Sequence, residues 1–81
     1  MKREEILIKL QEIFRQALKN DSIILSDDLN VEAIDEWDSF MHALIISEIE
    51  NNFSIEFDFD DIDKTRNVGN LINIVFNKLN K

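Results

Sequence analysis

The sequence predicts an all-α fold: a bundle of three main helices plus a short extra helix, with one long first loop. Three observations predict it. Apolar residues recur at helical spacing in three separate stretches. There is no proline and only one glycine, Gly69. Hairpin signals such as Asn-Gly are missing, and so are long tracts of turn residues.

The first helix is predicted from about Arg3 to Lys19. Ile6, Leu10, Ile13, Phe14, Ala17 and Leu18 form its apolar stripe. Glu4 and Glu5 fall in its first turn and Lys19 near its end, which complements the helix dipole. Asn20-Asp21-Ser22 stops it. Residues 20–38 then read as a loop with apolar anchors at Ile23, Ile24, Leu25, Leu29, Val31, Ile34 and Trp37, with room for short helical turns. A loop this long in a compact domain is often functional. Trp37 is expected to plug it onto the core rather than to stack on a ligand.

Asp38-Ser39 supplies two residues that favour a helix start. The second helix should run to about Asn52, with Ile45, Ile46, Ile49 and Phe53 inward. Phe40, Met41, Ala43 and Leu44 make its first two turns apolar nearly all round. A surface helix needs only one stripe, so part of this helix is expected to face a partner or ligand. Ile55 and Phe57 anchor a linker, and Asp58 to Asp63 is expected to make a short helical turn. Asn67 should cap the last helix, whose stripe is Val68, Leu71, Ile72, Val75, Phe76 and Leu79.

The 81 residues suit a single domain over 1–81 with marginal stability. The absence of cysteine excludes disulfides, thiolate metal sites and cysteine nucleophiles. No apolar run approaches a membrane span, and no signal peptide is apparent, so the expected compartment is the cytoplasm. The net charge is −8. All acidic residues except Glu4, Glu5 and Glu12 lie between Asp21 and Asp63, a stretch with no Lys or Arg. This field repels nucleic acid and anionic lipid and favours basic docking surfaces. Acidity alone is explained equally well by solubility.

Asp58 to Gly69 fails as a calcium loop, because positions six and twelve hold Asp63 and Gly69. There is neither a phosphate-binding glycine loop nor a basic patch. His42, the only histidine, has no Cys or second His with which to bind metal, and is expected to face solvent or a partner. No metal site and no catalytic residue is expected.

Asp38-Ser39-Phe40 follows a long acidic loop and precedes an apolar helix that ends Glu48-Ile49-Glu50-Asn51-Asn52-Phe53-Ser54-Ile55. With Asn67-Val68-Gly69-Asn70-Leu71-Ile72 downstream, the chain resembles the acyl carrier protein family over nearly its whole length. The resemblance implies that family's bundle fold and no enzymatic activity of its own. It implies that Ser39 receives 4′-phosphopantetheine from coenzyme A as a phosphodiester, and that the arm's thiol carries an acyl or aminoacyl thioester. A helix-start serine is accessible, and the free N–H groups there favour a phosphate. Asp38 would serve transferase recognition, with a magnesium contact during modification, or cap the helix; the two roles are compatible.

The candidate docking positions are Phe40, Met41, Ala43, Leu44, Ser47 and Glu48. Phe40 and Leu44 could equally be core. The implied partners are a phosphopantetheinyl transferase and acyl-loading, acyl-transfer or condensing enzymes, served by a monomer. Two departures stand out. Phe40 occupies a position where the family usually has Leu, and the early turns of the second helix lack the carboxylates usual in carriers of bulk fatty acid synthesis. The expected role is therefore in a dedicated, secondary pathway of the fatty acid or polyketide kind. The alternatives are an aminoacyl or peptidyl carrier, and an unmodified helical adaptor. A hydrolase using Ser39 fails for want of a base and an oxyanion site.

Overall fold

The computed structural model describes residues 1–80. Four α-helices run in the order α1 (Arg3–Leu18), α2 (Ser39–Phe53), α3 (Phe59–Ile62) and α4 (Val68–Leu79), with 3-10 turns at Val31–Ala33 and Asp63–Arg66. No strand forms among the described residues. The three long helices and their bounds agree with the apolar spacing, and the short extra helix lies within the acidic segment that predicted it.

The stripes meet in one core. Ile6, Leu10 and Phe14 of α1, Ile45 and Ile49 of α2, and Leu71, Ile72 and Val75 of α4 are at most 1% exposed. Each such side chain contributes about 1.5–3 kcal/mol by leaving water. Trp37 does plug the loop inward, its ring lying 5.2 Å from that of Phe14.

The long loop is tied down through its backbone. Arg15 Nε donates to Ile23 O at 2.8 Å, and Leu25 N–H donates to Gln11 Oε1 at 2.9 Å. Further on, Val68 N–H donates to Leu29 O and Gly69 N–H to Asp27 O, both at 2.9 Å. Ile24 is not the anchor it was expected to be: it is 75% exposed between buried Ile23 and Leu25. Burial alternates residue by residue in this irregular segment, which turns Ile23 and Leu25 to the core and Ile24 to solvent.

Helices α1 and α2 both end on a non-glycine residue in the left-handed region, Lys19 (φ 53°) and Ser54 (φ 56°). Each costs about 1–2 kcal/mol relative to glycine. The one glycine is used elsewhere. A Cβ on Gly69 would stand 2.7 Å from the backbone oxygen of Asp27, so the loop can reach the start of α4 only against a bare Cα. Gly69→Ala is expected to cost about 1–3 kcal/mol by overpacking, measured by urea denaturation. A stabilised variant, as helix propensity alone would give, would contradict this account.

Candidate functional site

Asp38 and Ser39 form the start of α2. Asp38 has extended backbone, and its Oδ1 accepts the Met41 N–H at 2.7 Å. It is therefore the helix cap, and Ser39 is the first helical residue, exposed to solvent. A short polar side chain ahead of an apolar run stops the loop from becoming helix one residue earlier. The Ser39 hydroxyl consequently stands at an open helix entrance.

Asn caps about as well as Asp, so Asp38→Asn removes the charge and little of the cap. Its expected effect on stability is below about 1 kcal/mol. Its expected effect on phosphopantetheinyl transfer is a loss on the order of tenfold or more, as for lost outer contacts to a metal. Parallel thermal melts and modification time courses check this. Equal losses in both would reduce Asp38 to a cap.

Below Ser39 lies an open groove of about 330 Å³. One wall is the α2 face carrying Ser39, His42, Ala43, Ile46, Ser47 and Glu50; the other is Ile62 and Arg66, from α3 and the 3-10 turn after it. A second hollow, of about 230 Å³, lies between α1 and α2 and is lined in part by Ile13, Ala17, Leu44 and Glu48. The docking candidates are thus divided. Ala43 and Ser47 share the Ser39 groove, and Leu44 and Glu48 border the second hollow. Phe40 is 76% exposed and Leu44 38%, so neither is core. Met41 is half-buried and packs against the core. Phe59, at the start of α3, is 94% exposed and was not anticipated.

His42 does not face solvent as expected. It is 6% exposed at the base of the Ser39 groove. Trp37 Nε1–H donates to its Nδ1 at 3.2 Å. Its Nε2 is 2.9 Å from Thr65 Oγ1, which in turn donates to Ile62 O. The indole N–H can only donate, so Nδ1 must be bare and Nε2 must carry the proton. Burial above all, then the nearby Arg66 charge, holds the ring pKa below its ordinary value, against the Ile62 carbonyl and Glu32. His42 is thus a neutral clasp that joins the loop, α2 and the segment bearing Arg66. Asp61 also titrates low, chiefly through the Asp58 N–H, with help from Lys78, whose Nζ is 3.4 Å away.

An accessible hydroxyl above an open groove, with its neighbouring histidine engaged in structure, has the build of a carrier of a tethered group rather than of an enzyme. Comparison with known proteins makes that class specific. The family model for the phosphopantetheine attachment site matches residues 9–75, and the chain belongs to that family. A holo acyl carrier protein from Geobacter metallireducens, solved by solution NMR, is similar at 38% identity with a TM-score of 0.84. The match covers 90% of this chain and 84% of that one. No curated protein matches. The protein is therefore a carrier whose cofactor is a covalently attached phosphopantetheine. Carriers of this kind are served by a phosphopantetheinyl transferase and by acyl-handling enzymes. No helix among the described residues is long and apolar enough to cross a membrane.

Proposed function

We propose that residues 1–81 form one acyl carrier domain whose arm is attached at Ser39, and that it serves a dedicated biosynthetic pathway. The observation that carries the attachment is the position of Ser39: first residue of α2, exposed, with the helix cap already supplied by Asp38. Modification therefore removes no structural hydrogen bond. The groove below fits a flexible arm, being apolar at Ala43, Ile46 and Ile62. Bound phosphopantetheine supplies a terminal thiol that holds the acyl group as a thioester.

The chemistry of the second helix supports the dedicated pathway. Its first turn has no acidic residue, and Phe40 in that turn and Leu44 in the next stand exposed. Of the two carboxylates further along, Glu50 accepts the Phe57 N–H at 2.8 Å, which leaves Glu48 as the free one. Docking through this face rests on apolar contact more than on ion pairs, so it is expected to keep most of its strength at high salt.

The test is incubation with coenzyme A, magnesium and a broad-specificity phosphopantetheinyl transferase. Intact mass and fragmentation mass spectrometry then place the modification. One phosphopantetheine on residue 39 is the expected result. An unchanged mass would return the chain to the adaptor reading.

A further inference from the structure

We infer that Arg66 holds the phosphodiester of the arm, a role that rests on attachment at Ser39. Between Asp21 and Asp63 the chain has no cation, and Asp35, Glu36 and Asp38 stand exposed just before Ser39. A phosphodiester installed here adds a negative charge to the most acidic part of a protein whose net charge is already −8. Like charges crowded together destabilise the compact state unless a cation answers them.

The fold brings one in. The 3-10 turn after α3 places Arg66 on the wall of the groove opposite Ser39, and among the described residues it is the groove's only cation. Its neighbour in the chain, Thr65, lies with Oγ1 2.9 Å from Nε2 of His42, and His42 follows Ser39 by one turn on the same face of α2. Among the described residues the groove's one carboxylate is that of Glu50, which accepts the Phe57 N–H through Oε2 and is not the ion-pair partner of Arg66.

Arg66 is also free to change partners. Its present pair is Glu32 at 3.3 Å, whose side chain is 60% exposed. Such surface pairs are worth about 0–1 kcal/mol. A guanidinium offers a planar fork of donors that matches two phosphate oxygens at once, which a mobile carboxylate in water does not outcompete. Arg66 thereby gives the arm a preferred resting direction, along the groove rather than out into solvent.

The test compares apo and holo protein, with modification at Ser39 first verified by mass. On conversion to the holo form, the Nε–H signal of Arg66 is expected to shift and its exchange with water to slow several-fold. In holo Arg66→Gln, the phosphorus-31 line of the arm should move toward its position in the urea-unfolded holo protein. Glu32→Gln, which releases Arg66 from its present pair, should move the line the opposite way. An Arg66 signal indifferent to the arm, or a phosphorus line unchanged by Arg66→Gln in fully modified protein, overturns the inference while leaving attachment at Ser39 standing. Modification found elsewhere, or not at all, overturns both.

Discussion

Ser39→Ala is expected to fold as the wild type does and to accept no phosphopantetheine at all. The first half follows from the cap. Asp38, not Ser39, satisfies the free N–H of Met41, and alanine is the best helix former at an exposed helical position. The stability change should lie within about 0.5 kcal/mol, as for surface substitutions that touch no special feature. The second half follows from the surroundings of the other hydroxyls. Ser26 Oγ donates to Asp28 Oδ1, and Thr65 is fully buried. Ser54 closes α2 in the left-handed region, and Ser22 lies in a turn. Only Ser47 shares the groove, but it sits two turns inside α2, where every backbone N–H is already bonded within the helix. Intact mass spectrometry after exhaustive treatment with transferase gives the answer. Any mass gain in Ser39→Ala would move the attachment to Ser47 first. A variant that melted far below the wild type would mean that Ser39 has a structural partner.

The helices were legible because apolar residues at period 3.6 leave little choice of face. The caps at Asp38 and Asn67 were legible because short polar side chains precede apolar runs, and both accept the expected N–H. The misreadings have physical causes. Ile24 lies in irregular chain between two buried neighbours, where no helical stripe tells which side chains turn inward. His42 was read by its polarity, yet positions 42, 45, 46, 49 and 53 all lie on the buried stripe of α2. That spacing was a usable signal. Its partners Trp37 and Thr65 come from irregular segments, where no period announces who meets whom. The same holds for the groove. Its α2 wall repeats at helical spacing from Ser39, whereas Ile62 and Arg66 arrive through the fold of the acidic linker. The tight seam at Gly69 was equally hidden, since it depends on where the Asp27 carbonyl comes to rest.

Acidification should loosen the groove through His42, and His42→Ala should remove both the stability and its pH dependence. Near neutral pH the substitution deletes a buried ring and leaves the Trp37 N–H without its acceptor. Cavity and orphaned donor together cost about 3 kcal/mol, a large share of what so small a domain has. The pH dependence follows from the lowered ring pKa. Above the unfolded value of 6.5 both states are neutral and the clasp contributes fully. As pH falls below 6.5 the unfolded chain takes up the proton first, so stability falls, by at most about 1.4 kcal/mol per pH unit. The fall ends once pH has passed below the folded-state pKa. The first reason is burial, which penalises the charged ring, and a proton on Nδ1 would also point at the indole N–H that now donates to it. Carboxylates titrate alike in the two proteins, so the difference between wild type and His42→Ala isolates the imidazole. That difference in urea-denaturation free energy should shrink between about pH 7.5 and about pH 5.5, the range in which histidine changes charge. Arg66→Gln supplies a milder check: without that nearby charge, the ring pKa read by NMR should rise toward 6.5. Amide exchange at residues 62–66 should quicken as the wild type is acidified, because Thr65 holds that segment to His42. A wild-type-to-variant gap that stays constant across this range would mean that the ring titrates alike in the folded and unfolded chain, and a gap that widens on acidification would mean that the folded ring holds its proton.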